Sequence, residues 1–224
     1  MLSYIPFSQI IELVAAIAAF IYLKKEKKYP WPWFTWFLVF VFLVEFSGYL
    51  YRIIQVLQGN KAVINYIIYK IYLPIEFLFH SCLLFLFTNT HKKLTRYYAT
   101  GLILFFILFT IELSNVSINT YVVTSDLFGA FFLLTGCLLY YYYFLQQEHH
   151  VEVMKFAPFW IVTGLFFYHF ISFSLLAYFN DLVLINIQKK GIPVRHYVMS
   201  VVNFIFYGSW IYAFKIQQNH LKWR

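Results

Sequence analysis

The chain carries nine acidic residues, and five of them, Glu12, Glu45, Glu76, Glu112 and Asp126, fall within long apolar runs. An ionisable group at the centre of a bilayer costs roughly 2.5 to 3.5 kcal/mol on insertion scales, so few are kept without a use. Carboxyls at that depth can bind a cation, relay protons, act as acid and base on a shared water, or hold helices together. The polar residues around them bear on the choice. Arg52, Lys70, His80, His169 and Asn203 lie in the same apolar runs.

Spacing puts several of these groups on common helical faces. Asn65, Tyr69, Tyr72, Glu76 and His80 recur at steps of 4, 3, 4 and 4, and His196, Ser200, Asn203, Tyr207 and Trp210 at 4, 3, 4 and 3. Glu45, Tyr49 and Arg52 recur at 4 and 3. Residues at these intervals stack on one face of a helix. Helix packing accounts for a single polar stripe, whereas three stripes and five acids at similar depth point to a polar cavity. The expected ligand pocket is Glu12, Glu45, Arg52, Lys70, Tyr72, Glu76, His80, Glu112, Asp126, His169, Ser200, Asn203 and Tyr207. Its surplus of acids favours a small cationic or polar ligand. Pro74, two residues before Glu76, leaves the Lys70 carbonyl without a helical donor and is the expected hinge.

The elements that must hold these residues follow from composition. The 224 residues are 62% hydrophobic and 24% aromatic, with 12% charged, against about 25% charged in a soluble domain. Mean hydropathy is +0.69. Apolar runs of about 20 residues, enough to cross a hydrocarbon core of roughly 30 Å, recur over residues 5–23, 33–54, 63–87, 98–117, 121–146, 156–179 and 197–215. The expected fold is an all-α polytopic membrane protein, a bundle of seven transmembrane helices forming a single domain over residues 1–224.

Of the seventeen lysines and arginines, eleven fall on the side that holds Lys24 to Lys28, Lys92 to Arg96, Lys155 and the C-terminal end. Positive loops are retained in the cytoplasm, so the N-terminus is expected outside and the C-terminus in the cytoplasm. The buried acids then lie in the outer half of the bundle, and the pocket opens outward. A cleaved signal peptide carries its positive charge ahead of the apolar region. Here the lysines follow it and Glu12 interrupts it, so the first run reads as a retained span. A net charge of +8 could suggest nucleic acid, but cations at span ends suit membrane lipid headgroups instead. Tyr29 to Trp36 and Leu139 to Phe144 read as aromatic belts at headgroup level. Pro30, Pro32 and Pro158 suit helix starts. Ala15, Ala16, Ala19, Gly129 and Gly136 read as close helix contacts, and Cys82 and Cys137 as buried thiols.

Several chemistries lack their residues. Residues 197–214 hold no lysine for a retinal Schiff base, and Asn203 to Tyr207 lacks the proline of the receptor motif with that spacing. No G-x-S-x-G and no glycine-rich phosphate loop occurs. A metal set of Glu76, His80, Glu112 and His169, or one in Glu148 to Glu152, is a weaker reading than packing and a solvated loop. No cofactor, metal or catalytic residue is assigned.

The phrases Ile71 to Phe79, Phe159 to His169 and Val201 to Phe214 resemble a group of small seven-span membrane proteins of Bacteroidetes. The resemblance implies frequent encoding beside sensor histidine kinases, hence a membrane or cytoplasmic signalling partner such as a kinase, and a bacterial inner membrane. The leading expectation is a sensor or receptor-like protein that binds a small ligand, ion or proton and signals by helix movement. A proton- or cation-coupled transporter and a lipid hydrolase using intramembrane carboxylates are the alternatives.

Overall fold

The computed structural model describes residues 7–58, 66–88, 92–117, 120–146, 152–178 and 194–222. These form α1 (Phe7–Leu23), α2 (Trp31–Leu57), α3 (Tyr66–Thr88), α4 (Lys92–Asn115), α5 (Val123–Leu145), α6 (Ala157–Ala177) and α7 (Val194–Lys222), with a 3-10 turn over Val153–Lys155 and no strand among the described residues. The chain is all-helical. Six stretches, Trp31–Gln55, Tyr66–Thr88, Leu94–Asn115, Val123–Leu145, Ala157–Ala177 and Tyr197–His220, are long and apolar enough to cross a membrane, the mark of an integral membrane protein. The first helix is apolar but shorter, at 17 residues.

Helix starts follow from local chemistry. Pro32 sits at the second position of α2 and Pro158 at the second of α6, where a helix has no use for the missing N–H. Pro74 does not end α3, which runs on to Thr88. Two ends differ most from the hydropathy reading. The fourth helix begins at Lys92, not Tyr98, and the seventh continues past Lys215 to Lys222. Lys, Arg, Gln and Leu are good helix formers whose polarity hides them from a hydropathy window, so helices outrun the apolar stretch at these ends.

Each helix packs against the next in sequence, and α7 returns to α1, closing a ring. The third helix also touches α5 and α6 across the middle. Its stripe of Tyr69, Tyr72, Glu76 and His80 is thereby placed where side chains of several helices can meet. The seventh packs most extensively against α6 and α1. Small residues permit this: Ala15 and Ala19 are 0% exposed. A Cβ on Gly164 would lie 2.1 Å from Ser209 Oγ and 3.1 Å from the Phe206 carbonyl oxygen, so the α6 and α7 backbones meet without room for a side chain.

The aromatic-belt reading is corrected on one face of each segment. Trp31, Phe34 and Tyr140 are buried in the core, while Trp33, Trp36 and Tyr142 are exposed. A helical period turns alternate rings of the same run to opposite sides. Cys137 is buried and Cys82 half-buried, both as free thiols. Lys61, Asn65, Lys189, Lys190 and the stretch Glu148 to Val151 lie outside the described residues, as do the side chains of Arg195 and His196.

Candidate functional site

One end of the ring encloses a cavity of about 360 Å³. Every helix but α4 contributes to its wall: Glu12 from α1, Glu45 and Arg52 from α2, Tyr69, Tyr72 and Glu76 from α3, and Asp126 from α5. Tyr168, His169 and Ser172 come from α6, and Met199, Asn203 and Tyr207 from α7. Tyr66 and Tyr121 stand near helix ends at the open side. Four carboxyls and six tyrosines thus face one space.

The carboxyls differ in how they are held. Tyr69 OH donates to Glu45 Oε2 at 3.0 Å, and Gln9 Nε2 donates to the Glu45 carbonyl oxygen at 3.2 Å. The Tyr72 and Tyr168 hydroxyls are turned toward the Glu76 carboxyl. Tyr121 OH donates to Asp126 Oδ2, and Asp126 lies in the first turn of α5, where the helix dipole favours an anion. Glu12 is different: it is 3% exposed, and its Oε2 is buried with no hydrogen-bond partner.

Among the described residues no lysine or arginine nitrogen lies within 4 Å of the carboxyl of Glu12, Glu45 or Glu76. Arg52 lines the cavity but is exposed and acts on Glu45 through space. Glu12, Glu45 and Glu76 all face this one space. A buried charge without a partner is strongly unfavourable, so a carboxyl here is either protonated or faced by a cation or a hydrogen-bond donor.

Nine of the thirteen pocket residues read from the sequence line this cavity: Glu12, Glu45, Arg52, Tyr72, Glu76, Asp126, His169, Asn203 and Tyr207. Lys70, His80, Glu112 and Ser200 do not. Lys70 is buried and donates from Nζ to the Ser117 carbonyl oxygen at 2.8 Å, binding α3 to the segment after α4. Glu112 accepts from Thr124 N at 2.9 Å, from Ser125 N at 2.7 Å and from Ser125 Oγ. Because Val122 has no side chain able to cap α5, the α4 glutamate supplies the missing acceptor at the dipole's positive end.

His80 lies below the cavity, its Nδ1 3.1 Å from Nε2 of the lining His169. Its Nε2 has no partner, nor does the neighbouring Ser81 hydroxyl. Phe37, Phe79, Phe206 and Trp210 surround it. Phe37 and Phe79 stack at 3.7 Å, and Trp210 Nε1 donates to the Ile161 carbonyl oxygen at 3.3 Å. The cavity ends on this aromatic layer. With Glu112 at the α5 cap, the set Glu76, His80, Glu112 and His169 does not assemble around a metal, and among the described residues no group of three or more His, Cys, Asp or Glu is placed to hold one.

The sequence reading of the pocket omitted Tyr66, Tyr121, Tyr168, Ser172 and Met199. Tyr168 and Ser172 stand four apart on α6, a spacing that offered a signal; Tyr69 was already on the α3 stripe. Tyr121 precedes α5 and has no helical period to mark it. Compared with known proteins, the chain matches no protein-family model, no curated protein and no solved structure.

Proposed function

We propose that this chain is a membrane sensor or receptor-like protein that takes a small cationic ligand into the acidic cavity and signals by helix movement. The observation that carries the reading is the cluster of Glu12, Glu45 and Glu76, three carboxyls with no cationic partner within 4 Å among the described residues, facing one cavity of about 360 Å³. Spaces of 300 to 1,000 Å³ are usual for small-molecule sites.

Two features favour sensing over the transport alternative. The cavity lining stops at His169 on α6 and Tyr207 on α7, above the aromatic layer around Trp210, and does not continue into the other half of the bundle. The seventh helix connects the two halves. Its 29 residues, about 43 Å at 1.5 Å each, carry Asn203 and Tyr207 in the cavity, Trp210 in the layer, and Gln217 and His220 at the far end. There Gln217 Nε2 donates to Glu26 Oε2 at 2.8 Å, and the His220 ring lies 2.9 Å from the Lys155 carbonyl oxygen. A shift of α7 at the cavity would reach the basic α1–α2 loop and the turn before α6. A cytoplasmic or membrane signalling partner, such as a histidine kinase, would read that end.

The same reading takes α1 as a seventh span. At 17 residues it covers about 25 Å, and it closes the ring between α2 and α7 while supplying Glu12. With the lysines of the α1–α2 loop held inside, the N-terminus and the cavity mouth face outward from a bacterial inner membrane. The test uses Asn203→Cys in a chain whose Cys82 and Cys137 are replaced by Ala. A membrane-impermeant maleimide applied to intact cells is expected to label position 203 from outside; labelling only after permeabilisation overturns the outward cavity.

A further inference from the structure

We infer that the cavity's ligand is a linear aliphatic amine with at least two ammonium groups that bear N–H donors. The inference rests on the reading of the cavity as a ligand site and concerns the chemistry of what enters it. Charge is the first argument. Glu12, Glu45 and Glu76 line one cavity with no lysine or arginine nitrogen within 4 Å of their carboxyls among the described residues. A single ammonium answers one of these carboxylates and leaves the rest, whereas a diamine or triamine answers two or three.

Hydrogen bonding is the second argument, and it is independent of charge. Glu12 Oε2 is buried without a partner, and an unmade buried hydrogen bond is destabilising. Protonating this oxygen leaves an unpaired donor in place of an unpaired acceptor. An N–H donor brought by the ligand satisfies it once the carboxyl turns that oxygen toward the cavity; a quaternary ammonium cannot. Nor is the site built for an inorganic ion. Calcium takes six to eight oxygens at about 2.3–2.6 Å, and no group of three or more acidic, His or Cys side chains is so gathered among the described residues.

Shape and lining agree. From Tyr66 to Glu76 the α3 wall spans ten residues, about 15 Å of depth, which suits an extended chain more than a compact ion. Tyrosine faces attract cations that lie over them, and six tyrosines line the space. Two of their hydroxyls, those of Tyr69 and Tyr121, already serve Glu45 and Asp126 as donors. Leu73 and Ala130 offer apolar contacts for its methylenes.

The full chain in lipid nanodiscs tests this by thermal unfolding and calorimetric titration with putrescine, spermidine, n-butylamine, tetramethylammonium and calcium. Putrescine and spermidine are expected to raise Tm saturably, n-butylamine to bind at least tenfold more weakly, and tetramethylammonium and calcium to leave Tm unmoved. Glu12→Gln and Glu76→Gln are each expected to lose at least tenfold in putrescine affinity. Tetramethylammonium or calcium matching putrescine, n-butylamine matching it, or undiminished binding by both glutamine variants overturns the proposal. If position 203 is labelled from outside and no amine binds, the amine class falls while the cavity reading stands; if it is not labelled, the cavity reading itself falls.

Discussion

Glu12 and Glu112 are both glutamates in apolar helices, and their neighbours give them opposite work. Glu112 accepts two backbone N–H groups and a hydroxyl at the start of α5, so it is a structural anchor. Replacing it with Ala is expected to lower stability by about 1–3 kcal/mol in denaturant or thermal unfolding. Tyr69→Phe removes the donor at Glu45 Oε2. Its expected result is also a loss of about 1–3 kcal/mol, accompanied here by weaker putrescine binding in the titration. The sequence made the buried acids legible, since a carboxylate in an apolar run stands out. It did not separate anchor from pocket, because the Glu112 partners lie 12 and 13 residues away, across a turn whose path no helical period records.

At the scale of elements, hydropathy located the helices and misjudged some of their ends. Lys92 to Arg96 and Lys215 to Lys222 are helical because straight-chain polar residues favour helix as well as leucine does. Polar spacing was the better guide to faces: the α3 stripe puts Tyr69, Tyr72 and Glu76 on the cavity wall. The α7 stripe is split by depth, with Asn203 and Tyr207 on the wall and Trp210 0% exposed in the layer below. Close approach of α6 and α7 depends on Gly164, whose added Cβ would meet Ser209 Oγ at 2.1 Å and the Phe206 carbonyl oxygen at 3.1 Å. The serine can turn away and the backbone cannot. Gly164→Val is therefore expected to cost about 1–3 kcal/mol of overpacking, seen as a lower Tm in nanodiscs, while Gly208→Ala, with nothing within 4 Å of its added Cβ, is expected to leave Tm close to that of the native chain.

For the whole molecule, a closed ring crossed by α3 joins an acidic cavity at one end to a basic loop at the other, with α7 running between them. If α7 carries the signal, cutting its far contact uncouples the ends. Gln217→Ala removes the donor to Glu26 Oε2 and is expected to leave putrescine affinity within about twofold while abolishing the putrescine-dependent change of a fluorophore on the α1–α2 loop. A glutamine at position 12 removes a negative charge and an acceptor that the amine needs. The most direct test is the Tm of native chain and Glu12→Gln in nanodiscs, each with and without saturating putrescine. The native chain is expected to gain in Tm with putrescine, and Glu12→Gln to gain less. A variant that gains as much from putrescine as the native chain would contradict the amine site.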